Sequence, residues 1–251
     1  MTPFDLVGRW AIVTGANTGI GQAIAVGLAR AGADIVGVGR SAMTETEAEV
    51  TAAGRRFAAV TADLSGSGNA VTVVSEALAA GATPDILVNN AGIIRRADSL
   101  DFTEDDWDAV LDTNLKSVFF LCQAFARAAI AAGRPAKIIN IASMLSFQGG
   151  IRVPSYTAAK SGLAGLTRLL ANEWAARGIN VNAIAPGYVE TNNTAALRAD
   201  AERNADILKR IPAGRWARPE DMAGAAVFLA SPASDYVHGA ILPVDGGWLA
   251  R

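Results

Sequence analysis

The sequence predicts a doubly wound α/β fold: a seven-stranded parallel sheet with helices on both faces. Three observations carry that reading. Short β-branched runs alternate with longer, Ala-rich segments along the whole chain. The runs are continuously apolar rather than alternating, as strands buried on both faces are. No Pro/Ser linker, internal repeat or charge run divides the 251 residues, so one domain is expected over residues 1–251.

Taken in order, Trp10–Thr14, Ile35–Val38, Phe57–Thr61, Ile86–Asn89, Lys137–Ile141, Asn180–Ile184 and Ala240–Val244 read as strands, each brief and closed by Gly, Pro, Asn or Ser. Between them, Gly19–Ala31, Thr44–Ala53, Gly68–Ala80, Thr103–Ala131, Ser155–Arg177 and Pro219–Ala230 carry helical spacing of Leu, Ile, Val, Phe and Ala. Thr103 followed by Asp106 gives the longest of these helices a capping start, and Glu104 and Asp105 complement its dipole. Regularity fails over about residues 186–219, where Asn, Arg, Ala and Pro surround one short helix. An insertion of that length in a compact domain suits a loop over a substrate.

Composition narrows the chemistry. The 22 basic and 24 acidic side chains give a net charge of −2 with no basic block, which argues against nucleic acid as a partner. Cys122 and His238 are the single cysteine and histidine. They form no intramolecular disulfide and are too few for a Cys/His zinc site, so no metal is expected, and a histidine-based triad would depend on His238 alone. The opening MTPFDLVGRW lacks the apolar run of a signal peptide, and no stretch reaches the ~18 residues of a membrane helix. A cytoplasmic protein without membrane contact is expected.

The turn Thr14-Gly15-Ala16-Asn17-Thr18-Gly19-Ile20-Gly21 follows the first strand and opens the first helix. Gly15 suits a tight turn, Gly19 the close approach of a pyrophosphate, and Gly21 close packing of the helix, whose free N–H groups attract an anion. This is a Rossmann-like arrangement, although the spacing is G-x-x-x-G-x-G. An NAD site places a carboxylate after the second strand, about 20 residues beyond the glycine turn. Here Val38-Gly39-Arg40-Ser41 stands instead. Arg40 and Ser41 suit a 2′-phosphate, so NADP is expected at least as well as NAD; Arg40 as a solvated loop residue is the competing reading.

Tyr156 and Lys160 stand one helical turn apart, and an ammonium beside a phenol favours its ionised form. Thirteen residues before Tyr156, Ser143 follows the fifth strand at the carboxyl edge of the sheet, where ligands bind in open α/β folds. Asn89-Asn90-Ala91-Gly92 closes the fourth strand at the same edge. Asn114 lies inside the following helix, where propensity gives no reason for an amide.

In order and spacing, the turn from Thr14 to Gly21, Asp63-Leu64, Asn89–Gly92, Asn114, Ser143, Tyr156/Lys160 and Pro186-Gly187 resemble the short-chain dehydrogenase/reductase family along essentially the whole chain. The resemblance implies Tyr156 as general acid/base, Ser143 on the substrate oxygen, and Lys160 on the nicotinamide ribose, lowering the tyrosine pKa. It further implies Asn114 at a helix kink with a relay water, Asp63 at the adenine, Asn90 near the cofactor ribose, and Val189 and Thr191 at the nicotinamide carboxamide. With these, Gly15, Asn17, Thr18, Gly19, Ile20, Gly21, Arg40, Ser41, Leu64, Ala91, Gly92, Pro186 and Gly187 form the expected cofactor set. A homotetramer is implied by the same family, through the two long helices and the apolar end at Trp248 and Leu249; that end packed within its own subunit is the competing reading.

For the substrate, Arg95, Arg96 and Arg152 flank the expected pocket and suit a carboxylate, or lie on the surface; Gln148 and Asn193 suit a polyol. Segments 92–98, 140–156 and 244–251 resemble the branch of the family that acts on 2-dehydro-3-deoxy-D-gluconate, a deoxy keto-sugar acid. That branch implies NAD, against the Gly39-Arg40 departure. Three alternatives remain open: reduction of the alginate-derived 4-deoxy keto-uronate, reduction of a 3-oxoacyl thioester, and a non-catalytic dinucleotide-binding regulator.

Overall fold

A computed structural model describes residues 2–65 and 67–250. Arg251, the last residue of the third resembling segment, lies outside the described residues. Seven parallel strands form one sheet in the order β3-β2-β1-β4-β5-β6-β7. They are β1 (Trp10–Thr14), β2 (Asp34–Gly39), β3 (Phe57–Thr61), β4 (Pro84–Asn89), β5 (Ala136–Ile141), β6 (Ile179–Pro186) and β7 (Ile241–Val244). The sheet is the predicted doubly wound one. β1, β2, β4 and β6 are buried at every position, as continuous apolar runs require, whereas the edge strands β3 and β7 are largely exposed or half-buried.

Side chains alternate between the two faces and build two cores. On one face Ile12, Leu87 and Ile138 meet Leu121, Phe125 and Leu163, from α5 (Ser117–Ala131) and α6 (Pro154–Trp174). On the other, Val13, Ile86 and Val88 meet Ile24, Leu28 and Leu229, from α1 (Gly19–Arg30) and α9 (Ala223–Ala230). Cys122, buried on α5, accepts an N–H from the Asn89 amide at 3.1 Å. Burial pushes its thiol up to about 12.

The helix expected over Thr103–Ala131 starts as its cap predicts: Thr103 Oγ1 accepts from the Asp106 N–H at 3.2 Å, and three acidic residues fill the first turn. It is not uniform. α4 (Glu104–Leu111) passes through a π-helical turn, Asp112–Lys116, before continuing as α5. The π turn inserts a residue into the hydrogen-bond ladder and sits at Asn114. α2 (Thr44–Ala52) and α3 (Ser67–Ala79) complete the crossovers. The irregular segment holds two short helices rather than one, α7 (Ala195–Ala199) and α8 (Ala201–Arg210).

That segment has its own small core of Met144, Ile207, Ile211, Trp216 and Trp248. Trp248 is 4% exposed within its own chain, so it does not supply the intersubunit surface expected of it. Its ring lies under the Arg210 guanidinium at 4.0 Å, and its indole N–H donates to Gln148 Oε1 at 3.2 Å. Among the described residues, no helix is long and apolar enough to cross a membrane.

Candidate active site

The chain runs β1-β2-β3 to one side and then crosses to β4 and the other, so a crevice opens between the carboxyl ends of β1 and β4. Thr14, the last residue of β1, holds this point together. Its hydroxyl accepts the Asn90 N–H at 2.9 Å and the Ala91 N–H at 3.0 Å, and donates to the Val88 carbonyl at 3.4 Å. The Asn90 amide returns across the crevice and donates to the Thr14 carbonyl at 2.9 Å and the Gly15 carbonyl at 3.4 Å. Asn90, expected at a ribose, therefore spends its N–H groups on the glycine turn.

Two glycines of the turn have no room for a side chain. Gly15 has φ +66°, and a Cβ there would stand 2.7 Å from Asn90 Nδ2. A Cβ on Gly21 would collide with the Gly15 carbonyl and the Asn90 amide, so this glycine lets the start of α1 pack closely on the ends of β1 and β4. The N-terminus of α1 differs from that of α4: Thr18 makes no side-chain cap bond and the first turn has no acidic residue. Its free N–H groups and dipole suit a dinucleotide diphosphate.

At the end of β2, Asn17 Nδ2 donates to Ser41 Oγ at 3.0 Å, and Arg40 is exposed near Asp63. The Asp63 carboxyl is held below its usual range, first by the Ser65 N–H it accepts at 3.0 Å and also by Arg40. The side chain of Leu64 is buried in the core with Val60 and Val73, which leaves its backbone to face the sheet edge. Ile20 and Ala91 also pack on the core, half-buried.

The expected catalytic residues converge beyond β5. Ser143 is extended, and its hydroxyl accepts the Leu145 N–H at 3.1 Å, which leaves its own proton to donate. The buried Lys160 Nζ donates to the Ile141 carbonyl at 2.6 Å and lies 5.5 Å from the Tyr156 ring centroid. Two hydroxyls that sequence reasoning missed stitch this loop to α6: Ser146 donates to the Lys160 carbonyl at 2.7 Å, and Ser161 to the Leu145 carbonyl at 3.2 Å. The signal was only a serine near each end of the contact. Asn114 is fully buried and grips the Ile93 backbone with both ends of its amide, accepting at 2.9 Å and donating at 2.8 Å.

The electrostatics differ from expectation. Burial pushes the Tyr156 phenol above its ordinary value, opposed by the Ser143 hydroxyl and, more weakly, by the Arg96 guanidinium. Burial also brings Lys160 down to about 8. Desolvation thus penalises the charged forms of both groups.

The candidate substrate residues separate. Arg95 is paired with Asp106 at 3.0 Å, and Arg152 with Asp98 at 3.3 Å, both at the surface. Arg152 is the one non-glycine residue of positive φ among those described, at 62°. Arg96 is the arginine electrostatically coupled to Tyr156, and its Nη2 donates to the Asn193 carbonyl at 2.9 Å. Gln148 Oε1 is engaged by Trp248 and, at 3.4 Å, by Arg210, so it braces the loop. Gly187 leaves no space for a Cβ beside Asp245, and its N–H donates to the Val244 carbonyl at 3.0 Å, which anchors Pro186-Gly187 to the end of β7. Val189 is buried in a single bridge to Ala217, and Thr191 caps the next turn with its methyl facing Gly19.

Residues 15–249 match the family described as Enoyl-(Acyl carrier protein) reductase. The chain is 61% identical over 251 residues to the 2-dehydro-3-deoxy-D-gluconate 5-dehydrogenase of Escherichia coli K12, covering 100% of this chain and 99% of that protein. A crystal structure from Agrobacterium tumefaciens, named for 2-deoxy-D-gluconate 3-dehydrogenase and holding NADP, superposes with a TM-score of 0.94 at 64% identity over 100% of both chains. Another, from Beutenbergia cavernae, named for NAD(P)-dependent gluconate 5-dehydrogenase and also with NADP, gives 0.95 at 55% identity, again over 100% of both.

Proposed function

The chain belongs to the short-chain dehydrogenase/reductase family, and from that premise we propose that it transfers a hydride between NAD(P) and a secondary alcohol or ketone of a deoxy keto-sugar acid, of the 2-dehydro-3-deoxy-D-gluconate type. The observation that carries this reading is the meeting of Ser143, Tyr156 and Lys160 beside a glycine turn whose helix end is uncapped. The dinucleotide, when bound, supplies or accepts the hydride. The chain's own groups handle the proton. Tyr156 gives it to the carbonyl oxygen in reduction and takes it from the hydroxyl in oxidation, while Ser143 donates to that same oxygen. Lys160 holds positive charge beside the phenol, and Asn114 fixes the helix break against the 92–94 segment.

Arg96 suits the substrate carboxylate better than Arg95 or Arg152, because no carboxylate of the chain pairs with it among the described residues and it faces the phenol. Residues 186–219 act as the substrate segment. Arg40 and Ser41 favour NADP, with the NADP held by two relatives in support. Exposed Trp107 and Leu169 on α4 and α6 support association through these helices into a homotetramer, for which light scattering gives the mass.

The deciding assay follows absorbance at 340 nm with both cofactors against 2-dehydro-3-deoxy-D-gluconate, the 4-deoxy keto-uronate, gluconate and an acetoacetyl thioester. The first sugar acid is expected to turn over fastest. Turnover of the thioester alone overturns the substrate class, and a flat trace across the panel by a protein that binds NADP favours a regulator.

A further inference from the structure

The substrate segment contains a guanidinium with incomplete hydrogen bonding. Arg198, half-buried on α7, donates from Nη2 to the Thr191 carbonyl at 3.3 Å, and its Nε is sealed from solvent with no acceptor. The Thr191 carbonyl already accepts the Thr194 N–H at 3.1 Å, while the single proton of the Thr194 hydroxyl goes to the Val189 carbonyl at 2.6 Å. Arg198 is thus the second and longer donor on the Thr191 oxygen, through Nη2 alone. No carboxylate pairs with this guanidinium among the described residues. Other arginines are better matched: Arg134 has Asp85 and the Thr83 carbonyl, and Arg215 has both oxygens of Asp221. A buried donor without an acceptor is costly, and a native structure keeps one where a partner arrives from elsewhere.

The position indicates where that partner comes from. The Thr191 methyl lies 3.5 Å from where a Cβ on Gly19 would stand, so the carbonyl holding Arg198 belongs to the segment directly against the glycine turn. Two residues on, Arg96 holds the Asn193 carbonyl from the other side. Both guanidiniums rest on neutral backbone oxygens, whereas a carboxylate or phosphate offers a guanidinium fork two parallel bonds and a full opposite charge.

We propose that Arg198 is an anion contact of the substrate segment, completing its hydrogen bonds on the anionic oxygens of a bound ligand. The inference rests on the oxidoreductase reading, which brings two sources of such oxygens: the cofactor diphosphate, favoured by the proximity of Gly19, and the substrate carboxylate.

Calorimetric titration of NADP and ADP-ribose into Arg198→Met and Arg198→Lys, with the sugar-acid KM at saturating cofactor, tests it. Arg198→Met is expected to weaken at least one ligand tenfold or more while melting as the wild type does, with partial recovery in Arg198→Lys, which keeps the charge and loses the fork. Loss in the NADP and ADP-ribose Kd identifies the diphosphate; loss confined to KM identifies the carboxylate. Changes within twofold for every ligand overturn the proposal. Should Arg198→Met not fold, Arg198→Lys decides alone, threefold loss or more supporting the contact and less overturning it. Titration needs no turnover, so a wild type inactive on sugar acids sinks the substrate reading while the calorimetric result still judges Arg198.

Discussion

In the proposed reaction, Ser143 and Tyr156 divide the work at the reacting oxygen according to what each has already committed. The serine's acceptor side is taken by Leu145, so it serves as a donor, and the phenol is held neutral by burial. A neutral phenol suits ketone reduction at neutral pH. The raised tyrosine pKa sets the sign in each direction: reduction needs the protonated phenol and stays level from neutral to mildly alkaline pH, whereas oxidation needs the phenolate and rises up to tenfold per pH unit. Rate–pH profiles in both directions check this, and oxidation that slows as pH rises from 7 to 9 contradicts it. Tyr156→Phe is expected to lose at least a hundredfold in kcat with NADP binding unchanged, and retention of a tenth of the wild-type rate removes Tyr156 from the chemistry. Arg40→Ala should weaken NADP about tenfold and leave NAD within twofold, as a charge-assisted contact of ~1.5–3 kcal/mol implies.

The strand ends govern the site at the level of elements. Thr14 joins β1 to the segment after β4 through one hydroxyl, and Thr14→Val keeps the shape while leaving two N–H groups without their acceptor. The expected cost is about 1–3 kcal/mol in chemical denaturation, with weaker NADP binding, since the same contact shapes the glycine turn. The strands, the cap at Thr103 and the helix with Tyr156 and Lys160 were legible because their causes lie within a few residues. The π turn was not legible from local pattern, because its partner is the Ile93 backbone 21 residues away; only the family resemblance implied the kink at Asn114. Leu64 shows a second limit: a motif position marks where the backbone runs, and the side chain turned into the core. Arg95 and Arg96 are adjacent in sequence, yet one pairs with Asp106 on α4 and the other reaches the substrate segment.

Across the whole molecule, the C-terminal turn ties the 186–219 segment to the loop after β5. Trp248 touches α8 through Arg210 and the loop after β5 through Gln148, and it stacks edge-on with Tyr188 at 4.9 Å. Trp248→Ala empties the centre of this small core and is expected to cost about 3–5 kcal/mol. Thermal melting checks the stability loss, and steady-state kinetics should show a larger rise in sugar-acid KM than in NADP KM. Composition marked this end as apolar without saying what it covers, because the covering residues come from three separate stretches of chain. Cys122 has a different consequence. As the sole thiol, sealed in the core and pushed up by burial, it stays silent toward maleimides at neutral pH, where an exposed cysteine near pKa ~8.5 carries more thiolate and is open to the reagent. A cysteine introduced at the exposed Ala199 is therefore the one position a fluorophore takes, and the unaltered background serves as its own blank for watching the segment beside Arg198 respond to ligand.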